Sequence, residues 1–128
     1  MTLVAIVASL ALIEYVVILM LTGQARGRFG VPAPATTGNP SFERYFRVQQ
    51  NTIEQLVIFL PSLYLFASLV SEGWAAALGL VFVLGRIVYA RGYIEDPAKR
   101  GPGFMLSFVP NLILLLGGLI GAILGQLG

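Results

Sequence analysis

The sequence predicts an all-α integral membrane protein, a single bundle of four transmembrane helices. Two observations carry this. Hydrophobic residues make up 57% of the 128 residues and charged residues only 11%, too few to cover a soluble domain of that length; the mean hydropathy is +0.85. A bilayer core takes roughly 20 apolar residues per helix, and four such segments with their loops use the whole chain. Residues 1–128 are therefore expected to form one membrane domain.

The first segment, residues 2–23, has no basic leader, and its apolar run exceeds the roughly 7–15 residues of a signal-peptide core. It is expected to stay as a membrane helix, interrupted near mid-membrane by Glu14 beside Tyr15. Residues 24–41, QARGRFGVPAPATTGNPS, are dense in Gly, Pro and Thr and read as a loop. Ser41, after Asn39-Pro40, is the expected N-cap of a second helix over 42–71, with a kink at Pro61. Glu72-Gly73 turns the chain into a third helix over 74–93, with Trp74 as an interfacial anchor. Residues 94–103, IEDPAKRGPG, make a second basic loop. The fourth helix, 104–127, is apolar apart from Asn111 and carries another kink at Pro110.

Basic residues orient this path. Arg26, Arg28, Arg44 and Arg47 lie in or beside the first loop, and Arg86, Arg91, Lys99 and Arg100 in or beside the third connection. All eight share one side, so the positive-inside rule puts the 24–41 and 94–103 loops in the cytoplasm and both termini opposite. No nucleic-acid patch is visible. Cys and His are both absent, which removes disulfides, a cysteine nucleophile, the usual general base and the usual metal ligands; no metal site is expected. Any thiol chemistry must arrive with a ligand.

Candidate site residues cluster at the start of the second helix, SFERYFRVQQNTIE. Arg44, Arg47, Asn51 and Glu54 are three or four apart and share a helical stripe. Glu54 lies roughly 18 Å along from the helix start, near mid-membrane. A charge there costs on the order of 2.5–3.5 kcal/mol on insertion scales, so it normally faces the bundle interior and marks a site. The plainer alternative is an internal ion pair, Glu54 with Arg86 or Arg47, that only fixes packing.

The third helix offers Arg86, Tyr89 and Tyr93 on a matching stripe. Tyrosines near a helix end are ordinarily interfacial, and Arg86 is within snorkelling reach of the headgroups. Together the stripes offer guanidinium groups for carboxylates, a carboxylate for an amine, an amide and phenols. That suits a small zwitterion with more than one carboxylate. Gln49 points off the stripe, toward headgroups or toward a ligand shared with another subunit. Gly117, Gly121 and Gly125, with Gly118 and Ala122, form a small-residue face for close helix contact within or between subunits. Arg100, alone, reads as a positive-inside residue.

The run from Ala25 to Glu54, with Phe42-Glu43-Arg44, Arg47, Gln49, Asn51 and Glu54, resembles the first loop and second helix of the membrane-associated proteins in eicosanoid and glutathione metabolism. Arg86, Tyr89, Gly92-Tyr93 and Arg100 extend the likeness to the leukotriene C synthase and microsomal glutathione transferase branch. The resemblance implies a homotrimer binding glutathione between subunits near the cytoplasmic face. It further implies conjugation of glutathione to hydrophobic electrophiles, or its use to reduce lipid hydroperoxides. By position, Arg26 and Gln49 would hold one end of glutathione, and Arg47, Asn51, Glu54, Tyr89 and Tyr93 the rest, with Arg86 in support. Arg100 would stabilise the thiolate, the attacking species.

Gln55 stands where the leukotriene-synthase branch has tyrosine and Gly27 where it has a second arginine; Glu14 has no counterpart. Two other readings remain open: a non-catalytic lipid-binding scaffold of the same architecture, and a small proton-coupled multidrug antiporter working through Glu14.

Overall fold

Four helices, each long and apolar enough to cross a membrane, run up and down in chain order. The computed structural model describes every residue from Met1 to Gly128. Helix α1 is Thr2–Phe29, α2 Pro40–Leu69, α3 Glu72–Glu95 and α4 Gly101–Leu127, with a 3-10 turn over Pro97–Arg100. The chain is an integral multi-pass membrane protein. Its outward faces carry rows of exposed Leu, Ile and Val, among them Ile13, Val16, Leu84 and Leu119, the surface that lipid covers.

The helix ends differ from the sequence expectation at several points. Helix α1 continues past Gly23 to Phe29 and takes in Arg26 and Arg28, because Gln24, Ala25 and both arginines favour helix over the two interposed glycines. The arginines also suit the negative C-terminal end of the dipole. It stops at Gly30, whose φ of 69° is left-handed. Asn39, not Ser41, caps α2: its side-chain oxygen accepts from the Phe42 N–H at 3.0 Å, and Pro40 takes the first turn, where its missing N–H costs nothing.

Ser71 caps α3 by accepting from the Trp74 N–H at 3.2 Å, so Glu72 and Gly73 belong to the helix, not to the turn. Gly101-Pro102-Gly103, expected as loop, opens α4. Helix α2 runs on through Pro61 and α4 through Pro110.

Helices α2 and α3 form the centre, with α1 and α4 each packed against both. Phe59 of α2 stacks on Phe82 of α3 with ring centroids 3.9 Å apart, both fully buried. Asn111 of α4 ties to α2, its Nδ2 donating at 3.2 Å to the Gln55 backbone carbonyl and to the Gln55 side-chain oxygen. The small-residue face of α4 packs within the chain: Gly117 against Phe66, Gly118 against Leu65 and Gly121 against Leu69 and Val70.

The tightest seam lies between α3 and α4. A Cβ on Gly85 would sit 2.7 Å from the Leu106 carbonyl carbon, and one on Gly103 would land on the Tyr89 backbone. Gly103→Ala is expected to cost about 1–3 kcal/mol through forced helix separation, read as a lower melting temperature in detergent. Gly125→Ala, with nothing near its Cβ, should stay within about 0.5 kcal/mol of the parent.

Candidate functional site

Helix geometry brings side chains of three helices to one open cleft at the basic end of the bundle. Helix α2 supplies Arg47 and Asn51, one turn apart, and α3 supplies Tyr89 and Tyr93, also one turn apart. The 3-10 turn and the start of α4 supply Arg100, Gly101 and Phe104. The cleft holds about 440 Å³, within the usual range for a small-molecule site. Two guanidinium groups line it and no carboxylate does. The positive end of the α4 dipole adds to this field at Gly101. An anionic ligand is what such a cleft favours.

Behind the cleft lies Arg86, fully buried. It does not snorkel, because four groups hold it inside the bundle. Its Nη2 donates to Asn51 Oδ1 and to Thr52 Oγ1, each at 2.8 Å, and its Nη1 donates to Ser107 Oγ at 3.1 Å. Its guanidinium carbon sits 4.2 Å from the centre of the Tyr89 ring, a cation–π contact that gains strength away from water. Arg86 thus fixes two residues of the cleft, Asn51 and Tyr89, without lining it. Because Asn51 turns its oxygen to Arg86, its side-chain NH2 remains as a donor for something else. Tyr89 in turn packs on Tyr93 at 5.7 Å between ring centres.

Other expected site residues lie elsewhere on this chain. Arg26 donates to the Ala35 carbonyl at 2.7 Å and the Val31 carbonyl at 3.3 Å and stacks over Phe42, tying the first loop to α1. Gln49 is half-buried and Glu54 exposed, both outside the cleft. Glu54 forms an ion pair with neither Arg86 nor Arg47. Arg44, on the same stripe as Arg47, donates to the Ile94 and Glu95 carbonyls at 3.2 and 3.1 Å. It satisfies the last carbonyls of α3 and so anchors the turn that presents Arg100.

Sequence reasoning passed over Thr52, Ser107, Gly101 and Phe104. The first two carried a signal, since a hydroxyl on an apolar helix turns inward when an arginine there needs acceptors. Phe104 carried none.

Residues 4–120 match the model of the MAPEG family. The chain belongs to that family. Among MAPEG relatives, an uncharacterized protein of Synechocystis is 49% identical over 96% of this chain and 89% of its own length. Human microsomal glutathione S-transferase 2 is 44% identical over 76% of this chain and 67% of its own. Bovine leukotriene C4 synthase is 41% identical over 59% of this chain and 51% of its own length.

Proposed function

We propose that this protein is a membrane-bound glutathione transferase working in the Arg47–Asn51–Tyr93–Arg100 cleft. The observation that carries the proposal is the set of two guanidinium groups with an amide and a phenol around one anion-seeking opening, in a chain of the MAPEG family. Glutathione has two carboxylates and a thiol. Arg47 and the free Asn51 amide suit a carboxylate, Tyr93 offers a further hydroxyl, and Arg100 stands beside the sulfur. A neighbouring cation lowers a thiol pKa from its usual value near about 8.5. The thiol proton leaves to solvent, and the thiolate attacks an electrophilic carbon. A carbon–sulfur bond forms as the leaving group departs with its electron pair.

The second substrate is a hydrophobic electrophile drawn from the bilayer. With a lipid hydroperoxide instead, two glutathione thiols are oxidised to the disulfide, and the O–O bond is reduced to alcohol and water. Glu54 is exposed in mid-helix and unpaired within its own chain, which supports a covering neighbour. In a homotrimer a second copy would bring Arg26 and Gln49 to the far end of the ligand, with Glu54 near its amine. The basic end, and so the cleft, faces the cytoplasm by the positive-inside rule, and both termini lie opposite. Family membership leaves the antiporter reading without support.

The test uses purified protein in detergent. Glutathione should produce thiolate absorbance at neutral pH, and an aryl halide should be conjugated. Absence of both, with a lipid retained through purification, would favour the scaffold reading instead.

A further inference from the structure

Glu14 is the one acidic residue of α1 and has no part in the cleft. Its Oε2 is buried without a hydrogen-bond partner, and so is the Nε of Arg86. One is an acceptor, the other a donor. Helix register sets them at the same level. The residues Val7 of α1 and Gly79 of α3 touch, a Cβ on Gly79 falling 2.6 Å from Val7 Cγ1. The two helices run in the same direction, as first and third members of an up-and-down path. Seven residues further on, about two turns and roughly 10 Å along each, stand Glu14 and Arg86. A turn beyond them Ile18 of α1 and Tyr89 of α3 share one buried apolar cluster with Val48 of α2. The Glu14–Arg86 layer is thus enclosed above and below by apolar contacts. The two groups are too far apart for a direct ion pair.

Arg86 is otherwise held by neutral groups alone: an amide, two hydroxyls and a ring. A buried guanidinium without a counter-charge is costly, and two buried polar groups of opposite kind at one level are commonly joined through water. We propose that Glu14 is a positioning residue for the cleft: through one bridging water it anchors the Arg86 Nε–H, and Arg86 in turn holds Asn51 and Tyr89 in place. The path runs from α1 through the bundle to the ligand, and its effect on catalysis rests on the proposed glutathione reading.

The experiment compares the wild type with Glu14→Gln, Glu14→Asp and Asn51→Ala, all as intact protein in detergent. NMR of the arginine Nε–H and asparagine side-chain amide signals, assigned with Arg86→Lys and Asn51→Ala, needs no glutathione. In Glu14→Gln the Arg86 Nε–H and the Asn51 amide signals should both move, and Glu14→Asp should restore part of the shift. In steady-state conjugation, Glu14→Gln should raise the KM for glutathione about tenfold, with kcat within about twofold. In the Asn51→Ala background the same change should raise KM clearly less, because one of its two branches, that through Asn51, is already cut and only the Tyr89 branch remains.

Unmoved NMR signals overturn the proposal whatever the kinetics. Equal KM losses in both backgrounds overturn it as well, as does a drop in kcat and melting temperature with KM unchanged. A wild type that binds no glutathione defeats the proposed function instead, and the NMR shifts alone then decide the role of Glu14.

Discussion

Arg100→Ala is expected to lower kcat/KM for aryl-halide conjugation at neutral pH by about 10- to 100-fold, with the protein still folded. Arg100 is exposed, and its only side-chain hydrogen bond runs back to the Pro97 carbonyl at 2.9 Å, so little structure depends on its side chain. Its contribution is electrostatic. Each unit by which the bound thiol pKa rises cuts the thiolate fraction about tenfold while the pH stays below that pKa. The sign follows. The wild type should hold its rate down to a lower pH than the variant, and the deficit should shrink as the pH climbs past the variant's raised thiol pKa. Thiolate absorbance in the presence of saturating glutathione, measured against pH, reads this directly. A variant with an unaltered pH midpoint would remove Arg100 from the sulfur.

Arg86→Leu should have the largest effect on the fold. Leucine fills much of the space but leaves Asn51, Thr52 and Ser107 without their shared donor and Glu14 without its counter-charge. Ser107 already makes contacts of 3.0 Å to the Gly103 and Phe104 carbonyls, so it recovers part of its bonding. Thr52, fully buried, and Glu14 have no such recourse. Breaking a buried charged arrangement from one side costs about 3–5 kcal/mol, which should appear as a clear fall in melting temperature together with loss of measurable glutathione binding. Arg86→Lys should fall between, because one ammonium cannot span α2 and α4 as a planar fork does. Full binding in Arg86→Leu would show that Asn51 and Tyr89 hold their places unaided.

Much of this was legible in the chain before any coordinates. Four apolar segments and eight basic residues on one side fixed the number of helices and their common end. Spacing put Arg47 and Asn51 on one stripe and Tyr89 and Tyr93 on another, and the two stripes meet at one cleft. Helix ends were harder, because a single cap decides them: Asn39, not Ser41, accepts from the Phe42 N–H, and Ser71 caps α3 so that Glu72 and Gly73 enter the helix. The inward role of Arg86 was hidden because its acceptors come from two helices distant in sequence, Thr52 on one and Ser107 on the other. Glu54 and Gln49 share the stretch that carries Arg47 and Asn51 but open away from the cleft of their own chain. Spacing reports a face, not what stands opposite it.

The glycines at the seam between α3 and α4 have a mechanical consequence. With Gly85 against Leu106, Gly92 against the Lys99 carbonyl and Gly103 against Tyr89, the two backbones interlock without side chains able to yield between them. They should tilt and shift in the bilayer as a single rigid plate. The spacing from Tyr93 to Arg100 would then be insensitive to membrane thickness, and any breathing that admits or releases a ligand falls to α2, which carries Arg47 on the opposite wall.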